Sequence, residues 1–251
     1  MDSQSPLKLP VIDFTKPELK PGIPEWDLAK GQVQQALQHY GCFEALFDKI
    51  PLEIREAVFG AMEELFDLPL HIKSRNVSEI PYHGYIGQHP KIPLFESIGF
   101  DDADVIEKAE AQTRTFWPQG NPSFSKTIQS FTKQLTELDQ MIRRMILESF
   151  QVEKYVDEHM DSTGYLLKAW LNGRLKATYH RVMMSGDKPR YSLGLFTVPK
   201  AGYMIKAPEE LVDEAHPLLY NPFDYAQFLG FYFSNEGRYQ SGLKAYCGVQ
   251  H

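Results

Sequence analysis

Tyr179-His180-Arg181-Val182-Met183-Met184, then Ser185-Gly186-Asp187-Lys188-Pro189, then Arg190-Tyr191-Ser192: the reading of this chain turns on these residues. The first segment reads as extended and the second as a turn. Tyr191 to Val198 reads as a second strand. Side chains alternate along a strand, so Arg190 and Ser192 share one side. The predicted hairpin offers an imidazole on one strand and a guanidinium with a hydroxyl on the next. A neutral imidazole is a good ligand for Fe(II). A guanidinium fork pairs bidentately with a carboxylate, and a neighbouring hydroxyl adds a third hydrogen bond. The arrangement suits an iron site beside an anchor for a small dicarboxylate.

Working outward, the chain has 251 residues, 43% of them hydrophobic and 24% charged, which fits a soluble globular protein of one domain or two lobes. The net charge of -7 gives no basic footprint for nucleic acid, and Arg143-Arg144 is too short a cluster to supply one. The two cysteines, Cys42 and Cys247, make no disulfide framework, which fits a reducing compartment. The first residues lack the basic and apolar regions of a signal peptide, and no apolar run is long enough to span a bilayer. The expected location is the cytoplasm. Asn76-Val77-Ser78 is read as a chance sequon, and the S-x-x-K matches at Ser123 and Ser241 as chance also. No phosphate-binding glycine loop and no G-x-S-x-G are present.

Leu9 to Phe14 predicts a short opening strand. A helix from about Glu25, with Leu28, Val33, Leu37 and Tyr40 on one face, stops at Gly41. Cys42 to Phe47 reads as a buried strand. Pro51 to Leu68 reads as a helix through Ile54, Val58, Met62, Leu65 and Phe66. Ser74 to Gln112 reads as loops and short strands, whose aromatics Tyr85, Phe95 and Phe100 read first as a core under a long loop and second as candidates for a pocket wall. From Ser123, read as the N-cap, the chain is helical to about Met160 with a break at Gln151. Strands and turns follow, among them Tyr203 to Lys206 and Phe228 to Phe233. The boundaries are 1–115 for an N-terminal region, 116–162 for a long helical segment and 163–251 for a β-rich region.

Leu171-Asn172-Gly173-Arg174, His180-Arg181-Val182 and Arg190-Tyr191-Ser192 together resemble the C-terminal part of the plant soluble 2-oxoglutarate- and Fe(II)-dependent dioxygenases. Leu9-Pro10-Val11-Ile12-Asp13-Phe14, Tyr40-Gly41-Cys42-Phe43 and Glu64-Leu65-Phe66-Asp67-Leu68-Pro69 resemble the N-terminal region of the same family, so the likeness covers nearly the whole chain. The nearest likeness is to the branch that modifies glucosinolate side chains, within plant secondary metabolism. The resemblance implies an α+β chain with a double-stranded β-helix, or jelly roll. It places His180 at the distal iron histidine, and Arg190 and Ser192 where the far carboxylate of 2-oxoglutarate binds. A first histidine and a carboxylate, in an H-x-D/E motif, should lie upstream.

Here the chain departs from the pattern. Its one H-x-D is His159-Met160-Asp161, in a stretch that reads as helix, where positions i and i+2 point to nearly opposite sides. Gly164-Tyr165-Leu166-Leu167 resembles the start of an early barrel strand, and Lys168 to Gly173 a late one. The family text between them is missing, with the join near Leu167 to Ala169. The expectation is therefore an incomplete jelly roll with His180 as sole iron ligand, impaired or inactive as an oxidoreductase and of low stability unless a protein partner covers the gap. One alternative is an active dioxygenase with His159, Asp161 and His180 as a rearranged triad. The other is a non-catalytic binding or regulatory protein. Intact relatives of this type oxidise a small-molecule substrate.

Overall fold

The computed structural model describes residues 8–81, 83–90, 92–161, 166–200, 202–234 and 242–250. Its contacts divide into two compact units. The first comprises Met1–Asp48, Asp139–Met183 and Phe196–His251; the second comprises Lys49–Leu138 and Met184–Leu195.

In the first unit, β1 (Val11–Asp13) pairs in parallel with β2 (Glu44–Leu46), Ile12 opposite Ala45. Between them runs α1 (Pro24–His39), which has Pro24 in its first turn and Glu25 and Asp27 at the positive end of its dipole. Its buried face is Trp26, Ala29, Val33 and Ala36, while Leu28 is exposed. Of the expected face of Leu28, Val33, Leu37 and Tyr40, only Val33 is among the buried residues. β2 is exposed along its length, not buried as expected. The indole of Trp26 donates to Glu148 at 2.7 Å, and the Gln34 amide donates to the Ser149 carbonyl at 3.1 Å.

In the second unit, α2 (Leu52–Phe66) buries Val58, Ala61, Met62 and Leu65, close to the expected stripe. The short α3 (Leu70–Lys73) follows Pro69. A helix, α4 (Ile106–Phe116), forms where irregular chain was expected. Phe100 packs on Phe116 and Phe124 with ring centroids 5.8 and 5.6 Å apart, so it is a core residue, the first of the two readings. Phe95 is exposed.

The boundary between the units falls inside α5 (Pro122–Ser149). The cap of α5 is Asn121, whose side-chain oxygen accepts from the Phe124 N–H at 3.1 Å; Ser123 already lies inside the first turn. The break at Gln151 is as expected, with a left-handed φ of 57°. In the first unit a turn of 3-10 helix, Glu153–Tyr155, leads into α6 (Val156–Asp161). After α6, α7 (Leu167–Trp170) is a single helical turn where late-strand text was read. Gly164 and Tyr165 lie outside the described residues.

β3 (Met204–Ile205) falls within the expected Tyr203–Lys206 strand and pairs antiparallel with β4 (Phe223–Asp224). The segment read as a strand at Phe228–Phe233 is instead the second half of α8 (Tyr225–Phe233). Asp224 caps it by accepting the Gln227 N–H at 2.9 Å. Phe228 and Phe231, three apart, both reach Tyr246 of α9 (Gly242–Cys247), at 5.6 and 5.2 Å. That i, i+3 meeting is a helical geometry which a strand would split across two faces.

The hairpin expected at Val182–Val198 has no ladder. Among the described residues the paired strands are β1 with β2 and β3 with β4, beside two isolated bridges. Gly186 keeps the positive φ of a turn, 80°, but its flanks remain irregular. A two-stranded hairpin is marginal in water without a third strand or a covered face. No helix among the described residues is long and apolar enough to cross a membrane.

Candidate functional site

The residues read as the site fall in both units: His180 in the first, Arg190 and Ser192 in the second. All three are exposed. His180 Nδ1 lies 3.1 Å from the Thr178 carbonyl, a local contact that leaves the ring at the surface. The chain before it is anchored: the Lys176 N–H donates to the Leu37 carbonyl at 3.2 Å, and the Thr178 hydroxyl donates to the Tyr40 carbonyl.

The H-x-D pair behaves as helix geometry dictates. α6 turns His159 fully inward and leaves Asp161 exposed. The His159 ring meets Trp170 edge-on at 5.4 Å, and Arg143 donates to the His159 carbonyl at 3.3 Å. Burial, reinforced by the nearby Arg143 charge, pulls the imidazole down to about 3, so it is neutral at physiological pH. Arg143 in turn pairs with Asp139 at 2.7 Å. His159 is thus a packed interior side chain held by an aromatic lid from α7. Among the described residues no three His, Cys, Asp or Glu side chains gather closely enough to hold a metal ion.

Asn172 explains the Leu171-Asn172-Gly173-Arg174 motif. It is buried and left-handed, with φ 49°, and Gly173 follows at φ 78°. Its amide donates toward the carbonyls of Leu211, His216 and Pro217 at 3.1–3.3 Å, and its oxygen accepts the Leu219 N–H at 2.8 Å. The motif is a clamp on the loop from Leu211 to Leu219. A Cβ on Gly173 would press on the Leu219 side chain, which together with the positive φ requires glycine there.

The second unit holds a group that the sequence did not reveal. Lys73 is buried, donates to the Phe66 carbonyl at 2.7 Å and pairs with Glu96 at 2.8 Å. Tyr85 donates to the same carboxylate at 2.5 Å. Burial raises the Glu96 carboxyl, but bonds from Lys73 and Tyr85 outweigh it and hold the group below its ordinary value. Burial first, then the Glu96 bond and charge, push the Tyr85 phenol up to about 12. Of the three aromatics Tyr85, Phe95 and Phe100, Tyr85 alone lines an open cavity of about 660 Å³, together with Leu70, Val77, Ile80 and Ile86 among others. Lys73 reads as a surface lysine in sequence, and its partner lies 23 positions on, across a Pro/Gly-rich loop.

Comparison with known proteins places these observations in context. The family model described as the non-haem dioxygenase in morphine synthesis N-terminal region matches residues 9–119. A probable 2-oxoglutarate-dependent dioxygenase of Arabidopsis thaliana, AOP1.2, is 42% identical over 311 aligned positions that span 96% of each chain. The rice dioxygenase for auxin oxidation superposes with a TM-score of 0.70 at 21% identity, over 96% of this chain and 100% of the other. The dioxygenase for auxin oxidation 1 of Arabidopsis thaliana, solved with 2-oxoglutarate, gives 0.72 at 16% identity over 83% and 99%. These structural likenesses establish a shared fold.

Proposed function

The chain belongs to the 2-oxoglutarate-dependent dioxygenase family, and from that premise we propose that it is a member shortened inside its barrel, with His180 alone left of the iron triad and the oxidation chemistry lost. The observation that carries this reading is the alignment length. The 42%-identical relative aligns over 311 positions, yet 96% of 251 residues is about 241, so about 70 positions of the alignment face a gap in this chain. α7 sits where the sequence reading placed the join, and its Trp170 closes over His159.

The donors present do not fit Fe(II). A 2-His-1-carboxylate site needs three converging ligands with open positions beside them. His180 lies on an exposed irregular segment, His159 is enclosed, and Asp161 points away from it. The same geometry weighs against the rearranged triad of His159, Asp161 and His180. No step of an oxidation is therefore assigned to this chain. Arg190 and Ser192 retain the chemistry of a dicarboxylate anchor. On exposed chain, without a metal to chelate the other end, that anchor should hold 2-oxoglutarate only at millimolar levels, about 4 kcal/mol of binding.

The test is turnover of the co-substrate. With Fe(II), ascorbate, oxygen and 2-oxoglutarate, the purified chain should form no succinate above a protein-free control, while AOP1.2 treated alike should form it. Succinate release that is lost in His180→Ala would overturn the proposal.

A further inference from the structure

In the second unit, residues between 70 and 89 curl around one concave space. Leu70 stands at the start of α3, and the chain from Ser74 to His89 supplies the rest of the wall of the cavity of about 660 Å³. The wall is tied from within the unit. The Tyr85 N–H donates to the Asn76 carbonyl at 2.7 Å, and Ile86 and Ser97 exchange main-chain hydrogen bonds at 2.8 Å. Asn76 is 7% exposed, and its amide donates to the Gly99 carbonyl at 3.2 Å. Tyr85 is fixed by its bond to Glu96, and it lies so close over Gly87 that a Cβ there would strike the phenol.

The volume falls within the range of about 300–1,000 Å³ that small-molecule sites occupy. The lining decides the class of ligand. Leu70, Val77, Ile80, Ile86 and Tyr85 supply an apolar wall, of which Leu70, Val77 and Ile80 are exposed. Covering such surface is favourable by about 25 cal/mol per Å². The thirteen described residues that line the cavity include no Asp, Glu, Lys or Arg, where a chain that is 24% charged would place about three at random. An ionised ligand would therefore enter without a counter-charge on the wall. The Ser78 hydroxyl oxygen accepts the Ile80 N–H at 3.1 Å and keeps its own proton for a ligand oxygen. The lining includes none of His180, Arg190 and Ser192.

We propose that this cavity binds an uncharged, largely apolar small molecule that carries a hydrogen-bond-accepting oxygen. The apolar wall takes the body of the ligand, and Ser78 donates to its oxygen. Binding of this kind needs neither iron nor 2-oxoglutarate, so it holds whether or not the barrel chemistry is lost.

The experiment is a fluorescence titration of the full chain with Prodan, an uncharged naphthalene ketone whose emission moves to the blue on leaving water. The expected result is a saturable blue shift with a dissociation constant below about 100 μM, unchanged by added 2-oxoglutarate. Val77→Asp and Ile80→Asp each place a carboxylate in the lining from an exposed position. Each should raise the dissociation constant about tenfold or more with an unchanged thermal transition. Leu94→Asp and Met183→Asp change apolar positions that are 94% and 70% exposed and lie outside the lining. They should leave the constant within about twofold. No saturable binding, binding that survives both lining variants, or binding that Leu94→Asp or Met183→Asp weakens as much as the lining variants do, would overturn the proposal.

Discussion

Replacing Asn172 by alanine should be among the most damaging single substitutions in this chain. The side chain is 3% exposed, accepts the Leu219 N–H and offers its two amide protons to the carbonyls of Leu211, His216 and Pro217. Two protons cannot serve three acceptors fully, so the substitution removes about three hydrogen bonds. At about 1 kcal/mol each they account for about 3 kcal/mol. Alanine in the left-handed region that Asn172 occupies adds about 1 kcal/mol of strain. A total near 4 kcal/mol is a large part of the ~5–15 kcal/mol that holds a domain together. For a chain of this size it lowers the thermal midpoint by about 8–16 °C. Differential scanning calorimetry and urea unfolding measure it directly. Asn172→Gly keeps the backbone unstrained while losing the hydrogen bonds, so it should recover only about the strain share. A loss below about 1 kcal/mol for Asn172→Ala, or full recovery with glycine, would refute the clamp.

His159 makes stability depend on pH. Its folded value is depressed to about 3 against about 6.5 unfolded, so above pH 6.5 neither state binds the proton. As pH falls from 6.5 toward 3 the unfolded state takes up a proton that the folded state refuses, and stability drops by up to about 1.4 kcal/mol per pH unit. Urea midpoints at pH 7 and pH 5 should differ in the native chain, and by less in His159→Leu. Lys73→Met strands a partly buried carboxylate and should cost about 2–3 kcal/mol, with the Glu96 carboxyl rising when followed by NMR titration. If the roughly 70 unmatched alignment positions fall at the proposed join between Leu167 and Ala169, inserting the corresponding AOP1.2 residues there should restore iron binding. A graft that folds but binds no iron would count against the placement of the join.

The legible parts of the fold were those with dense local periodicity. α2 and α5 repeat apolar residues at three and four, and the Gln151 break follows at once from that pattern. α4 was missed because Glu107 to Arg114 offers little beyond Ala109 and Ala111 to mark a face. The aromatic run Tyr225 to Phe233 has high strand propensity, and only the Asp224 cap and the contacts to Tyr246 decide for helix. Strand pairing is settled by partners distant in sequence, so Val182–Val198 could be read as extended but not as unpaired. At the site, the divergence of His159 and Asp161 was legible because it needs only helix geometry. The Lys73–Glu96–Tyr85 network was not, since nothing local to Lys73 marks it as buried.

The central claim is that the shortened chain has lost the donors that hold iron beside 2-oxoglutarate. The most direct measurement is an anaerobic titration of the chain with Fe(II) and 2-oxoglutarate, watched in the visible region and run beside AOP1.2. The account predicts the metal-to-ligand charge-transfer band in the relative and none here. A band of comparable intensity from this chain, abolished by His180→Ala, would contradict it.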